Sequence, residues 1–231
     1  MKKSIFTLVL LFITLSIQAQ RWSETRAQVW YQQQPWLVGC NYIPATAVNQ
    51  IEMWSAATFD AVQIDRELSW AEGIGFNTLR VFLSSVVWQY DDEGMKLRMD
   101  RFLQLCQEHH IRPLFVFLDD CWNAESSYGK QPAPRPGVHN SGWVRDPSMS
   151  ERADTTLLYK EMRTYVQDIL RTFRNDTRIL MWDLYNEAGN SGLREASLPL
   201  LQKVFEWARA VNPSQPLSAC VWQDDLKPLN A

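Results

Sequence analysis

Residues 178–187 read Arg-Ile-Leu-Met-Trp-Asp-Leu-Tyr-Asn-Glu, an apolar run that stops on the polar pair Asn186-Glu187 and continues as Ala188-Gly189-Asn190. A carboxyl group at the tip of a buried strand is placed to move protons. Burial or a neighbouring negative charge can keep it protonated near neutral pH. The amide beside it can hold a hydroxyl. Arg80 lies inside a second apolar run, Asn77-Thr-Leu-Arg-Val-Phe-Leu83, and a charge in that setting needs a partner. Asp119 and Asp120 follow the run Pro113–Leu118. They can meet ligand hydroxyls or simply begin a loop. Asp183 falls within its run and reads as structural.

These groups need elements to bring them together. Trp36–Tyr42, Asn77–Leu83, Pro113–Leu118, Arg178–Tyr185 and Leu217–Trp222 read as strands. Between them lie helical patterns at Thr58–Gly73, Lys96–His109, Thr156–Phe173 and Leu193–Ala210. The third is the clearest, with Leu158, Met162, Val166, Ile169, Leu170 and Phe173 on one stripe. The second turns Leu97, Phe102, Leu103 and Cys106 inward; the first uses Phe59, Val62, Ile64, Leu68 and Ala71. In the fourth, Leu198, Leu201, Val204, Phe205 and Ala208 face in.

Near-continuous apolar strands alternating with amphipathic helices predict an α/β chain with a parallel sheet covered by helices. No Gly-rich phosphate loop follows the first strand, which argues against dinucleotide binding. The expected fold is an incomplete (β/α)8 barrel of about five βα units, where a closed barrel has eight. The 20–231 segment is then the N-terminal part of such a domain. On that fold, carboxylates at the C-terminal tips of strands sit at the active end. Asn41 and Tyr42, at the end of the first strand, share it.

The segment 119–154 is too long for an ordinary connection and is expected to be an ordered binding loop. It contains Trp122, Trp143 and His139. Of the 11 tryptophans, Trp88, Trp122, Trp143 and Trp222 fall in or near loops at the active end. They are candidate flat surfaces for the C–H face of a sugar ring.

Lys2 and Lys3 before the apolar stretch Ile5–Ile17 read as a signal peptide of residues 1–19, with Gln20 as the mature N-terminus. The expected product is exported, periplasmic or extracellular, without stable membrane insertion. A net charge of −3 with no basic block excludes nucleic acid as an expected partner. Cys40, Cys106, Cys121 and Cys220 form no CxxC, and three histidines give no metal cluster. The four cysteines read as buried free thiols, although export permits disulfides. No cofactor is expected. His109-His110 suits the end of a helix.

Thr78-Leu-Arg-Val81 and Trp182-Asp-Leu-Tyr-Asn-Glu187 resemble the clan A glycoside hydrolases, with the family 5 cellulases and mannanases as the nearest pattern. The likeness covers residues 36–222. This chain departs from the family in Ala188, where Asn-Glu-Pro is usual, and in Asp119-Asp120, where a His is usual near the end of the third strand. The resemblance implies a retaining hydrolase of β-linked polysaccharide or oligosaccharide. Glu187 would be the general acid/base, Asn186 the partner of the sugar 2-hydroxyl, and Arg80 the residue that orients the nucleophilic carboxylate. A structural salt bridge is the other reading of Arg80. The family's nucleophile sits near a seventh strand, which this chain does not supply. The competing class is therefore a non-catalytic or truncated carbohydrate-binding barrel. An α/β esterase lacks its Gly-x-Ser-x-Gly elbow here.

Overall fold

The computed structural model describes residues 21–138 and 140–223. The expected signal peptide and His139 lie outside these residues. Five strands, β1 (Gly39–Tyr42), β2 (Thr78–Phe82), β3 (Arg112–Asp119), β4 (Met181–Asn186) and β5 (Leu217–Cys220), form one sheet in the order β1-β2-β3-β4-β5. Every neighbouring pair is parallel. Sequential order with crossovers of one hand places the connecting helices on a single face. That is barrel winding, whereas a dinucleotide-binding sheet reverses direction partway along.

The helices are α1 (Glu24–Gln32), α2 (Gln50–Trp54), α3 (Ala61–Gly73), α4 (Ser85–Glu108), α5 (Thr155–Thr172) and α6 (Arg194–Val211). α3 packs on α4, α4 on α5 and α5 on α6. The core lies between this row and the sheet. Leu79 and Val81 of β2, Phe115 and Phe117 of β3 and Trp182 and Leu184 of β4 meet Met99, Phe102, Met162, Val166 and Val204 there. The intervening residues of β2, Thr78, Arg80 and Phe82, face the other way and are half-buried. Gly39 lets β1 approach β2, because a Cβ there would lie 1.9 Å from the Thr78 carbonyl oxygen.

Three helical segments were not expected. α1 buries none of its residues, so it carries no apolar stripe to read. α2 has five residues. The start of α4 is separated from the expected helix by a break at Asp91 (φ −152°, ψ 66°). There Asp91 Oδ1 accepts the Gly94 N–H at 3.1 Å, which caps the second segment as an N-cap does. The α5 stripe is as expected, with every residue of it buried. Two inward assignments need correction. Val62 and Leu97 are each 72% exposed, because the helices turn those positions to solvent.

Segment 120–154 is tied down along its length. Asp119 bridges Asp146, and Asn123 bridges Val144. Asn49 Nδ2 donates to the Gly142 carbonyl at 3.1 Å and Gln50 Nε2 to the Val144 carbonyl at 2.8 Å. Tyr128 stacks on Tyr90 at 3.7 Å between ring centroids. The loop thus crosses in front of α2. Among the described residues no helix is long and apolar enough to cross a membrane, and no group of His, Cys, Asp or Glu is placed to hold a metal.

Candidate active site

The site forms at the C-terminal ends of β2, β3 and β4, and an irregularity in β4 creates it. Between Asp183 and Asn186 the strand advances three residues while β5 advances two, from Ser218 to Cys220. This bulge cancels one alternation step, so Asp183 and Asn186 both point away from the helices. Tyr185 goes the other way, its hydroxyl donating to Asp120 Oδ1 at 2.8 Å.

Arg80 reaches across the interior face to both. Its Nη2 lies 2.6 Å from Asp183 Oδ2 and 2.9 Å from Asn186 Oδ1, and Nη1 lies 3.3 Å from Asn41 Oδ1. The partner of Arg80 is therefore Asp183, the structural salt bridge. Burial raises the Asp183 carboxyl while the Arg80 charge and hydrogen bonds oppose it. Asn186 completes the chain of contacts, because its Nδ2 donates to Asp119 Oδ1 at 2.7 Å. With its oxygen on Arg80 and its nitrogen on Asp119, the amide has a fixed orientation.

Glu187 follows directly in the left-handed region at φ 49°, a conformation that costs a non-glycine residue about 1 kcal/mol. Four contacts hold the turn. The Glu187 N–H donates to the Cys220 carbonyl at 2.9 Å, and its carbonyl accepts the Asn190 N–H at 2.9 Å. Its Oε2 accepts from Asn190 Nδ2 at 2.6 Å and from Cys121 Sγ at 3.3 Å. Gly189, at φ 98°, supplies the next left-handed step.

Asp119 is 1% exposed, yet its Oδ2 has no hydrogen-bond partner. Burial pushes its carboxyl up to about 6, against the Asn186 and Cys121 hydrogen bonds that favour the charge. It lines a notch with Tyr42, Ile43, Gln50, Met53, Phe82 and Trp143. Trp143 lies beside Phe82 at 5.9 Å and edge-on to Trp122 at 5.2 Å. Trp122 is 40% exposed. Asp119, Asn186, Glu187, Arg80, Asn41, Trp122 and Trp143 are thus linked by contacts at one end of the sheet.

Other candidates stand elsewhere. Asp120 was expected among the ligand-binding groups, but it is fully buried. Its Oδ1 takes Arg152 Nη2 at 2.6 Å and its Oδ2 takes the Gly189 N–H at 2.7 Å. It anchors the Glu187 turn from beneath. Trp88 also departs from expectation. Its Nε1 donates to Asp168 at 2.8 Å and its ring packs on Tyr165, so it joins α4 to α5. Tyr42 spends its hydroxyl on Glu67 at 2.8 Å and stacks on Phe102, offering only its ring to the notch. Trp222 lines a small hollow with Ala188 and Cys220 beyond β5. The thiols are all free, but only Cys106 and Cys121 are buried, while Cys40, on β1 at the edge of the described sheet, is exposed.

Cys121, Asn190 and Arg152 escaped the sequence reading. Asn190 carried a usable signal, since it lies three residues beyond a candidate acid at a turn. Cys121 looked like any small apolar residue at a strand end, and Arg152 was remote in sequence from Asp120.

No protein-family model and no curated protein matches the chain. Solved structures do match. Exo-beta-1,4-mannosidase Op5Man5 from Opitutaceae bacterium strain TAV5 superposes with a TM-score of 0.56 at 23% identity, over 80% of this chain and 32% of that one. GH5_18 from Streptomyces cattleya, in complex with GlcNAc, matches with a TM-score of 0.54 at 14% identity, over 78% and 42%. The β-mannanase of the blue mussel Mytilus edulis matches with a TM-score of 0.51 at 13% identity, over 79% and 58%. The chain therefore spans between about a third and three-fifths of the length of these structures. Likeness at such identities is one of fold, and the fold is part of a (β/α)8 barrel.

Proposed function

We propose that this chain is the first five βα units of an exported, retaining glycoside hydrolase that acts on β-linked mannan-like or cellulose-like saccharides. One observation carries the reading. Asn186 and Glu187 stand at the C-terminal tip of a barrel strand, the amide locked by Arg80 and Asp119 and the carboxyl presented on a held left-handed turn. A strand tip at this end of a barrel is where catalysis is built, and a fixed amide beside an acid suits a sugar hydroxyl beside a glycosidic oxygen. The named structural neighbours, a mannosidase and a mannanase among them, support the substrate class. Lys2, Lys3 and the apolar stretch after them support export.

In this reading Glu187 protonates the glycosidic oxygen as the C–O bond breaks and later takes a proton from the attacking water. Asn186 Nδ2 keeps its bond to Asp119 and turns its other hydrogen, which reaches Cys121 Sγ at 3.5 Å in the free chain, to the adjacent sugar hydroxyl. Trp143 and Trp122 offer the ring surface. The mechanism needs a second carboxylate about 5–5.5 Å from the first. The nearby carboxylates at the ends of β3 and β4 are engaged within the chain, Asp183 with Arg80, Asp120 with Arg152, and Asp119 through Oδ1 with the Asn186 amide and the Cys121 N–H. The nucleophile is therefore assigned to barrel strands beyond β5. That same commitment favours the second reading, a barrel portion that binds saccharide without cleaving it. The test is to assay the exported product of the native host on β-1,4-linked mannan- and cello-oligosaccharides while measuring binding by tryptophan fluorescence. Cleavage with retained anomeric configuration supports the hydrolase. Binding without cleavage supports the second reading, and neither binding nor cleavage removes both.

A further inference from the structure

We infer that Cys121 and Asn190 are positioning residues that decide which carboxyl oxygen of Glu187 carries its proton. The inference rests on Glu187 being the acid/base group. Both donors converge on one atom, Oε2, at 2.6 Å from Asn190 Nδ2 and 3.3 Å from Cys121 Sγ. The donors are also joined to each other, since Asn190 Nδ2 lies 3.2 Å from Sγ, and Asn186 Nδ2 lies 3.5 Å from the same sulfur. Glu187, Asn190 and Cys121 form a closed triangle, with Asn186 attached through the thiol.

A carboxyl oxygen that accepts two hydrogen bonds carries the carbonyl character or the negative charge, and the proton belongs on the other oxygen. Oε1 is then the atom that delivers the proton to the glycosidic oxygen and recovers one from water. Oε2 keeps its two donors in both protonation states, so the side chain does not rotate between the two steps. This fixes the acid in position before substrate arrives.

The thiol suits the part. Cys121 is 8% exposed, and its own N–H is held by Asp119 Oδ1 at 2.9 Å. Burial, with the charges of Asp119 and Glu187, pushes the thiol well above its ordinary value. It therefore remains S–H, a donor. The left-handed turn at Glu187 serves the same end, because it carries the side chain to the tip of β3, where Cys121 lies.

The test begins with a readout that needs no activity. The intact folded protein is treated with iodoacetamide at pH 8, and each cysteine is followed by peptide mass spectrometry. Infrared spectra of the S–H stretch are taken in parallel. Glu187→Gln removes the charge that the thiol faces, so Cys121 alkylation rises about fivefold, a modest share of the worth of a hydrogen bond to a charged group. Cys40 and Cys106 serve as internal references and keep their rates. The hydrogen-bonded S–H band is absent from Cys121→Ser and moves to higher frequency in Glu187→Gln. An unchanged Cys121 rate and band in Glu187→Gln overturn the inference. In turnover by the complete enzyme, Cys121→Ala lowers kcat about tenfold with KM within about twofold, the loss of an interaction worth roughly 1.4 kcal/mol in the transition state, and Cys121→Ser restores most of it. Coupling of thiol to carboxylate without any hydrolysis contradicts the reading of Glu187 as acid/base. Hydrolysis without coupling contradicts the positioning role.

Discussion

Asp183 and Asn186 share one face of β4 although they are three residues apart, and Arg80 Nη2 holds both, at 2.6 Å and 2.9 Å. The bulge between them makes this possible. A regular strand would send Asn186 into the helix layer and leave Glu187 without its amide neighbour. The salt bridge therefore does more than neutralise a buried charge, because it orients the amide next to the candidate acid.

Arg80→Leu leaves the Asp183 carboxylate, whose side chain is 7% exposed, without its cation. Breaking a buried pair on one side costs about 3 kcal/mol, reduced somewhat here because Arg80 is itself 23% exposed. Urea unfolding should show a lower midpoint for Arg80→Leu and a smaller loss for the double variant Arg80→Leu, Asp183→Leu. A double variant that loses as much as the two single variants combined would mean that the groups are not coupled.

Asp120→Ala removes the acceptor of the Gly189 N–H and of Arg152, whose side chain is 7% exposed. The expected loss again falls at about 3 kcal/mol. Amide exchange at Gly189 should accelerate along with it. Unchanged protection at Gly189 would show that the turn stands without Asp120.

Stability should fall as pH rises from about 4 to 8. Burial raises the folded-state carboxyl of Asp119 to about 6 and that of Asp146 to about 8, in the second case with Glu151 adding to the effect. A group raised on folding contributes its full stability below the unfolded value, and that contribution is lost as pH rises through the folded value. For Asp119 alone the loss is about 3 kcal/mol. Thermal midpoints across this range should decline, and Asp119→Asn should flatten the lower part of the decline. A midpoint that rises from pH 5 to pH 8 would contradict the assignment.

Trp143→Ala should weaken saccharide binding about tenfold, the loss expected from one ring surface, and Trp88→Ala should destabilise the fold without changing the affinity of what remains folded. Titration of both variants with a β-1,4-linked oligosaccharide, followed calorimetrically, separates the roles. Equal affinities for Trp143→Ala and the unaltered protein would move the ring platform elsewhere.

Much of this was legible in the sequence, for identifiable reasons. Phe115, Phe117, Trp182 and Leu184 announce buried strands because a sheet packed on its helices wants apolar residues there. The stripe from Leu158 to Phe173 announces α5 because one face is fully buried. α1 and α2 gave no such signal, one exposed and the other only five residues long. Glu187, Asn186 and Arg80 stood out as polar groups on apolar strands. Their geometry did not, because strict alternation places Asp183 and Asn186 on opposite faces and nothing local marks the bulge. Asp119 and Asp120 looked equivalent. Tertiary contacts separated them, with Arg152 and Gly189 claiming Asp120, while Asp119 lines the notch and keeps Oδ2 without a partner.

In the proposed hydrolase, Glu187 gives a proton to the leaving group. The direct measurement is turnover of the complete enzyme and its Glu187→Gln variant on a series of aryl β-mannosides with leaving groups of graded acidity. A poor leaving group needs the proton and a good one does not. Glu187→Gln should lose on the order of a thousandfold on the poorest leaving groups and little on the most activated. An equal loss across the series would remove Glu187 from the acid role.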